Sequence, residues 1–232
     1  MQNYSKYDLD EYLKNDWIKE LMDQVKTDEE DEIRTNKWLY EIKPKRMIYA
    51  DVYGDLLRQG GKKVLDVGGG INALTKILAM KNEYTLLDFV AHGGERYAEI
   101  LSRDYGVKWL SKDWYSVDDI GQYDVIVAND IFPDVDQRME LFIDRMLKHC
   151  KELRLVITYY NRPVFYTSKR IDDSEILTFL SWDGEITAMK LKKYIDRAID
   201  TTEEDIDFIQ TSRESLYRNG RGICSICFNG DI

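Results

Sequence analysis

The sequence contains little cysteine, proline or histidine. Its 232 residues include three cysteines, three prolines and two histidines. The cysteines, Cys150, Cys224 and Cys227, have spacings that suit no disulfide framework. Cys224 and Cys227 lie in one apolar run, and a strand there would direct residues three positions apart to opposite faces. We therefore interpret all three as buried thiols and expect no metal site.

Long apolar runs are also absent. No window reaches the roughly 18 consecutive apolar residues of a membrane span. The first residues are polar and acidic, whereas a signal peptide begins basic and continues apolar. We therefore expect a cytoplasmic protein with no membrane partner.

Basic residues are outnumbered by acidic ones. The 33 lysines and arginines against 43 aspartates and glutamates give a formal net charge of -10. Such a surface repels phosphate backbones, so we expect no nucleic-acid partner.

Short apolar runs alternate with helix-like segments in the central part of the sequence. The predicted helices are Ala73–Met80, Arg96–Arg103 and Val135–Leu147. The predicted strands, which are almost continuously apolar, are Val64–Val67, Tyr84–Phe89, Val107–Leu110, Tyr123–Ala128 and Leu153–Tyr159. This alternation is typical of a parallel sheet covered on both faces, and it predicts a doubly wound α/β fold.

The flanking segments have other patterns. Apolar spacing predicts one helix over Leu9–Val25 and another from Pro44 to Gly60. We therefore expect a helical extension or lid at residues 1–61 before a sheet domain at 62–232. Near the C-terminus we predict a helix over Ala188–Ile199 and three strands, of which the last two should pair antiparallel: Glu175–Trp182, Asp205–Thr211 and Gly222–Phe228.

The first predicted strand runs directly into three glycines. Gly68, Gly69 and Gly70 follow Asp66-Val67, and the next helix starts near Ala73. Glycines permit a tight turn and close approach of a ligand, and a helix start offers unpaired N–H groups. Asp88 ends the following strand, where a carboxylate accepts hydrogen bonds from ribose hydroxyls. Together these residues predict a nucleoside-containing cofactor.

The glycine pattern also fits dinucleotide sites, but its acidic residue favours another family. Asp66-Val67-Gly68-Gly69-Gly70 resembles the first motif of Rossmann-like S-adenosylmethionine (SAM)-dependent methyltransferases, with Asn72 in place of the third glycine. The resemblance continues in order through the strand ends to about residue 160. It implies a mostly parallel seven-stranded sheet with an antiparallel C-terminal strand, and SAM as cofactor.

The resemblance also implies site residues. Asp113 and Trp114 would contact adenine, and Asn129 would face the methionine end. An insertion near 164–184 would form the substrate side. The cofactor-binding residues expected altogether are Asp66, Gly68, Gly69, Gly70, Asp88, Phe89, Asp113, Trp114 and Asn129.

Four residues are candidates for chemistry on the acceptor. Asp130 follows the fourth strand of the central series and could act as a general base. Tyr159 ends the fifth strand and Arg162 follows it at the same sheet edge, and His92 follows the cofactor-binding strand.

The expected activity is methyl transfer to a small molecule, with a hydroxyl of a sugar or natural-product intermediate preferred. The sequence has no Tyr-x-x-x-Lys spacing for hydride transfer and no Pro-Pro-aromatic turn typical of base methylation. The alternatives are an N-methyltransferase of a small molecule, an NAD(P)-dependent oxidoreductase and a non-catalytic SAM-binding module. The acceptor and the oligomeric state stay open, a homodimer included.

Overall fold

The computed structural model describes residues 1–25, 33–89, 94–169, 176–217 and 219–232. Its strands, numbered along the chain, are β1 (Gln2–Asn3), β2 (Lys63–Val67), β3 (Glu83–Leu87), β4 (Lys108–Leu110), β5 (Tyr123–Phe132), β6 (Cys150–Tyr159), β7 (Val164–Lys169), β8 (Ile176–Ser181) and β9 (Gly222–Asn229). Its α-helices are α1 (Lys6–Tyr12), α2 (Trp17–Val25), α3 (Arg34–Glu41), α4 (Lys43–Val52), α5 (Gly54–Arg58), α6 (Ala73–Lys81), α7 (Glu95–Tyr105), α8 (Met139–Met146), α9 (Gly184–Lys192) and α10 (Glu203–Thr211). Within the described ranges, no helix is long and apolar enough to cross a membrane.

Seven of the described strands form one sheet, in the order β1-β9-β6-β5-β2-β3-β4. β2 pairs parallel with β3, and β3 pairs parallel with β4. β9 pairs antiparallel with β6, with Gly222 opposite Tyr159 and Asn229 opposite Glu152. The α/β class and the antiparallel last strand are therefore confirmed.

One compact unit comprises Tyr7–Val127. In β2, Val64, Leu65, Asp66 and Val67 are all buried, as expected for a strand covered on both faces. The helices α2 to α5 belong to this same unit, and their buried residues include Ile18, Met22, Leu39, Met47 and Leu56. The helices before β2 therefore contribute buried side chains to this unit.

The predicted single helix over Leu9–Val25 is wrong, because the chain breaks at Asp16. An Oδ1 atom of Asp16 accepts the Lys19 N–H at 3.3 Å, which starts α2 after a short 3₁₀ turn. The helix expected from Pro44 to Gly60 is also divided, with α4 ending at Val52 and α5 starting at Gly54.

The other compact unit comprises Met1–Lys6 and Ala128–Ile232. β1 occupies the sheet edge, where Gln2 pairs with Ser225 and Asn3 with Cys224. α9 and α10 approach closely at Gly184, where a Cβ atom would lie 2.2 Å from the carbonyl oxygen of Ile209. Gly184 is therefore required by the backbone contact and not by a turn.

The predicted strand over Asp205–Thr211 is wrong, and so is its pairing with the last strand. The segment forms α10, whose start is fixed by a capping box: Thr202 Oγ1 accepts the Asp205 N–H at 3.2 Å, and Asp205 accepts the Thr202 N–H at 2.8 Å. Acidic residues in the first turn favour the helix further. Ile206 and Ile209, three residues apart, are both buried. β9 pairs instead with β6 and β1.

The expected insertion near 164–184 forms an antiparallel hairpin of β7 and β8, which is a separate two-stranded sheet. The rings of Tyr166 and Phe179 stack with centroids 5.1 Å apart. Gln137 Nε2 donates to the carbonyl of Leu180 at 2.8 Å, and its Oε1 accepts from the Trp182 indole at 3.0 Å. The hairpin is thereby attached to the residues that follow β5.

We predict that Arg46→Met destabilises the fold strongly. Arg46 is 3% exposed, its Nε donates to Asp16 Oδ2 at 2.9 Å, and its Nη1 donates to the Leu39 carbonyl at 2.8 Å. Removing one partner of a buried ion pair leaves the other uncompensated, so the free energy of unfolding should fall by about 3 kcal/mol. Urea denaturation measures this change. Arg103→Met, at an exposed pair with Asp104, is the control and should change little; equal effects would contradict the prediction.

Candidate functional site

The glycine turn after β2 has a conformation that requires glycine. Gly68 has φ 69° and Gly70 has φ 65°, both in the left-handed region. A Cβ atom on Gly69 would lie 2.4 Å from the carboxylate of Asp66. The three glycines thus let the backbone pass directly over a buried acidic side chain.

Asp66 supports this turn from inside the protein. Its Oδ1 accepts the Tyr53 hydroxyl at 3.0 Å, and its Oδ2 accepts the Tyr84 hydroxyl at 2.6 Å. Burial raises the pKa of Asp66 to about 7, against the two hydroxyl bonds, which lower it. Asp66 therefore supports the turn from beneath Gly69, and its expected part in cofactor binding stays a prediction.

The start of α6 has its N–H groups bound by the protein. Ala73 N–H donates to Asn36 Oδ1 at 3.0 Å, Leu74 N–H to Asn72 Oδ1 at 2.9 Å, and Thr75 N–H to the Asn72 carbonyl at 3.0 Å. A dinucleotide places its pyrophosphate on these N–H groups. Their existing bonds disfavour a dinucleotide at this turn.

Asp88 is held beside the turn, as its place at a strand end predicts. Its Oδ2 accepts the Gly70 N–H at 2.9 Å. Its backbone is fixed on both sides, since its N–H donates to the Leu110 carbonyl at 3.1 Å and its carbonyl accepts the Trp109 indole at 2.8 Å. Phe89, the next residue, is 57% exposed. The structure therefore brings Asp88 to the glycine turn.

Asp113 and Trp114 begin a short 3₁₀ turn. Asp113 Oδ1 accepts the Tyr115 N–H at 2.8 Å, which caps the turn. Trp114 is buried, and its ring lies edge-on to that of Tyr115, with centroids 5.6 Å apart. The proposed adenine contact of these two residues stays a prediction.

A second group of polar residues forms in the other unit, around Arg221. One Nη atom of Arg221 lies 3.5 Å from Asp130 Oδ2, and the other lies 3.5 Å from Asp134 Oδ2. The Tyr160 hydroxyl also donates to Asp134 Oδ2, at 3.2 Å. We refer to Asp130, Asp134, Tyr160 and Arg221 as the Arg221 cluster.

The electrostatics of the Arg221 cluster follow from its burial. Burial raises the pKa of Asp134, an effect that Arg221 opposes and the charge on Asp130 reinforces. The pKa of Arg221 is raised as well: burial alone would lower it, but the surrounding negative groups, Asp130 first, outweigh burial. Asp130 has φ 61°, which is rare for a residue with a side chain and typical of functional sites.

The two other acceptor candidates that the structure describes, Tyr159 and Arg162, have different surroundings. Tyr159 is buried, and its hydroxyl donates to Asn3 Oδ1 at 2.6 Å. Arg162 is exposed, and Asn129, just before Asp130, is half-buried. His92 lies outside the described residues. Of the three candidates among the described residues, Asp130 alone belongs to the Arg221 cluster.

Several site residues escaped the sequence analysis. Tyr53 and Tyr84, which hold Asp66, carry no motif. Tyr160 was one position from the predicted Tyr159, and strand alternation places these two side chains on opposite faces. Arg221 stands next to the last strand and far along the chain from Asp130. The sequence shows only an arginine between two glycines, Gly220 and Gly222, and does not indicate that it is buried.

Two solved structures that are similar to this chain are methyltransferases. A 1,6-didemethyltoxoflavin-N1-methyltransferase from Burkholderia thailandensis, solved with 1,6-didemethyltoxoflavin and S-adenosylhomocysteine (SAH), is 12% identical, covers 100% of this chain and 93% of its own, and has a TM-score of 0.56. The N-methyltransferase NodS from Bradyrhizobium japonicum WM9, solved with SAH, is 14% identical, covers 94% and 100%, and has a TM-score of 0.50.

The chain has the Rossmann-like methyltransferase fold. This confirms the fold that the resemblance at the glycine turn implied. No protein-family model matches the sequence, and no curated protein sequence matches it. The methyltransferase fold therefore rests on three-dimensional similarity.

We predict that Asp66 makes folding stability depend on pH. The folded pKa of about 7 exceeds the usual value of 3.8, so the native state binds the extra proton. Its contribution is fully present below about pH 4 and is lost as pH rises toward 7. Chemical denaturation between pH 4 and 8 should show this decline in the wild type and a flatter profile in Asp66→Asn. Asp118→Asn, at an exposed site, is the control and should keep the wild-type slope. Identical slopes in the wild type and Asp66→Asn would reject the assignment.

Proposed function

We propose that this protein is a SAM-dependent methyltransferase that acts on a small molecule. The observation that carries the proposal is the glycine turn with Gly70 bound to Asp88 and with the first N–H groups of α6 already bound. That arrangement suits a cofactor with a ribose and no pyrophosphate. SAM is such a molecule, whereas NAD(P) has a pyrophosphate that needs free N–H groups.

Asp88 and the glycines of the turn have different proposed roles in cofactor binding. Asp88 accepts hydrogen bonds from the ribose hydroxyls, and Gly68, Gly69 and Gly70 let the cofactor approach the backbone. The helices before β2 frame this site, since Thr35 packs against Gly70 and the Tyr49 hydroxyl donates to the Gly69 carbonyl at 3.3 Å. Asp113, Trp114 and Phe89 for the adenosine and Asn129 for the methionine end complete the proposed contacts.

Methyl transfer depends mainly on alignment of the acceptor atom with the methyl group. SAM supplies an electrophilic methyl group when it is bound. Holding an acceptor atom in line with that group can account for about 7 to 11 kcal/mol of the barrier. A carboxylate that removes the acceptor's proton adds roughly 10² to 10⁴ in rate. Asp130 and the other members of the Arg221 cluster are the proposed acceptor-side groups.

The fold alone does not identify the acceptor atom, and two classes of acceptor are considered. Both similar structures named above are enzymes whose names state N-methylation. A hydroxyl of a sugar or natural-product intermediate is the other acceptor that fits the sequence. An acceptor screen that follows SAH release tests the activity: SAM binding without turnover of any hydroxyl or amine would instead favour a non-catalytic SAM-binding module.

We predict that Asp88→Ala weakens SAM binding at least tenfold. The variant removes hydrogen bonds to a charged group, each worth roughly 1.5 to 3 kcal/mol. Calorimetry with SAM on the folded variant measures the loss. Asp88→Asn keeps an acceptor for the Gly70 N–H, so it separates loss of charge from loss of the turn.

The control for Asp88 is Asp118→Ala, which removes an exposed carboxylate and should leave SAM affinity unchanged. Unchanged affinity in Asp88→Ala would remove Asp88 from the site. Tighter binding of NADH than of SAH by the wild type would overturn the cofactor assignment.

A further inference from the structure

The peptide between Gly69 and Gly70 is hydrogen-bonded at both of its ends. Its carbonyl oxygen accepts the Tyr49 hydroxyl at 3.3 Å, and its N–H donates to Asp88 Oδ2 at 2.9 Å. Tyr49 lies in α4 and Asp88 follows β3, so two separate elements determine the direction of one peptide. All four residues belong to the same compact unit, Tyr7–Val127.

A peptide between two glycines has little resistance of its own to rotation. Neither residue has a side chain that clashes as the peptide plane turns, and Gly70 has φ 65°, which glycine adopts readily. In the reversed orientation the carbonyl of Gly69 would face the Asp88 carboxylate, and two hydrogen-bond acceptors repel each other. The observed orientation of the peptide therefore depends on its two hydrogen bonds.

The direction of the Tyr49 hydroxyl proton is set by Asn72. Asn72 Nδ2 donates to the Tyr49 hydroxyl oxygen at 3.3 Å, while Asn72 Oδ1 accepts the Leu74 N–H at 2.9 Å. Because its amide oxygen caps α6, Asn72 presents a donor to Tyr49. The tyrosine oxygen accepts from Asn72, and its own proton is directed to the Gly69 carbonyl.

This contact gives a role to the one departure from the methyltransferase motif. Asn72 stands where the resemblance leads us to expect a third glycine. A glycine has no side chain, so it could neither cap α6 nor direct the Tyr49 hydroxyl. The residue that departs from the motif is thus the residue that connects α4 to the turn.

The ring of Tyr49 is also held in place. It stacks on the ring of Tyr53, four residues later, with centroids 4.8 Å apart and planes inclined by 22°. The Tyr53 hydroxyl donates to Asp66 Oδ1 at 3.0 Å, beneath Gly69. The two stacked tyrosines therefore support the glycine turn at two points, the Asp66 carboxylate and the Gly69 carbonyl.

We propose that Tyr49 is a positioning residue for the cofactor, and that its hydroxyl, directed by Asn72, keeps the Gly70 N–H turned toward Asp88. The inference rests on the proposed function, because it concerns the ribose contact assigned to Asp88. In this role Tyr49 does not touch the cofactor. It acts through the peptide, which holds the Asp88 carboxylate in the orientation that receives the ribose hydroxyls.

The first experiment removes the Tyr49 hydroxyl alone. Tyr49→Phe keeps the ring and its stacking but loses one hydrogen bond, so the Kd for SAH, measured by calorimetry, should rise about three- to tenfold. Tyr12→Phe is the matched control, because Tyr12 is also half-buried, lies in the same unit and donates its hydroxyl to Asp16 at 2.7 Å. The control should bind SAH as wild type does. Equal SAH affinities of Tyr49→Phe and wild type would overturn the proposal.

The second experiment separates positioning from direct contact. Tyr49→Phe is introduced into Asp88→Ala, in which the peptide N–H no longer has its carboxylate. In this background Tyr49→Phe should change SAH affinity less than about twofold, since the hydroxyl acts through Asp88. The same loss in both backgrounds would mean that Tyr49 contacts the cofactor directly or acts through the fold, and it would reject the proposal.

The third experiment redirects the tyrosine proton. Asn72→Asp keeps an oxygen that caps α6, and an acidic residue is favourable at a helix start, so thermal stability should be kept or rise. The variant replaces the donor to Tyr49 by an acceptor, so the hydroxyl should turn away from Gly69 and SAH affinity should fall about three- to tenfold. Adding Tyr49→Phe to this variant should cause no further loss. SAH affinity that follows thermal stability, or losses that add in full, would reject the proposal.

Hydrogen exchange tests the peptide without a ligand. In Tyr49→Phe the Gly70 N–H should exchange with deuterium several-fold faster than in wild type, because one of the two bonds that hold the peptide is lost. In Tyr12→Phe the rate should stay that of wild type. An unchanged Gly70 rate in Tyr49→Phe would reject the role of Tyr49 in fixing the peptide.

Failure of the proposed function gives a different result. If wild-type protein does not bind SAH, the cofactor assignment is rejected, and the role of Tyr49 in cofactor binding is rejected with it. If wild-type protein binds SAH and Tyr49→Phe binds it equally well, the role of Tyr49 alone is rejected and the methyltransferase proposal stays intact.

Discussion

The glycine turn depends on one carboxylate buried beneath one glycine. Asp66 leaves no room for a Cβ atom at Gly69, and hydroxyls from two separate elements, at Tyr53 and Tyr84, fix its two oxygens. The position of the backbone at Gly69 is therefore fixed by the carboxylate beneath it. In this position of the turn, the Gly70 N–H donates a hydrogen bond to Asp88, and α6 begins three residues later.

The chain buries acidic side chains in two different ways. Among the described residues, the donors to the Asp66 carboxylate are two neutral hydroxyls, and burial raises its pKa despite them. Asp134 receives a hydroxyl and a guanidinium, and the guanidinium is shared with a second carboxylate. The first arrangement supports backbone geometry, whereas the second gives a buried carboxylate a cationic partner.

The sequence predicted those features that depend on local patterns. Near-continuous apolar runs predicted the parallel strands, and the positions of the glycine turn and of Asp88 at the next strand end predicted that the two would lie together, as the Gly70 N–H bond to Asp88 confirms. It could not predict contacts between distant segments: nothing near Asp130 indicates that Arg221 will reach it. The sequence also could not show that Tyr160, and not Tyr159, faces the cluster, because that depends on which face of the sheet each side chain of the strand occupies.

Local pattern failed where two elements compete for similar residues. Asp205–Thr211 alternates apolar and polar residues well enough for a strand, but the cap at Thr202 and the acidic first turn favour a helix. The edge position beside β9 is then taken by Gln2 and Asn3. Which segment pairs with β9 at the sheet edge therefore depends on segments that are distant in the sequence, and not on the local pattern of residues 205–211.

The bonds from α3 and from Tyr53, which follows α4, to the glycine turn limit how this protein can be shortened or recombined. Asn36 caps α6, Thr35 donates a hydrogen bond to the Ile71 carbonyl, and Tyr53 holds Asp66. A chimera that joined residues 62–232 to the leading helices of another enzyme would replace all three partners at once. Its glycine motif would be intact in sequence and unsupported in space, so grafts should be cut before α2 and not before β2.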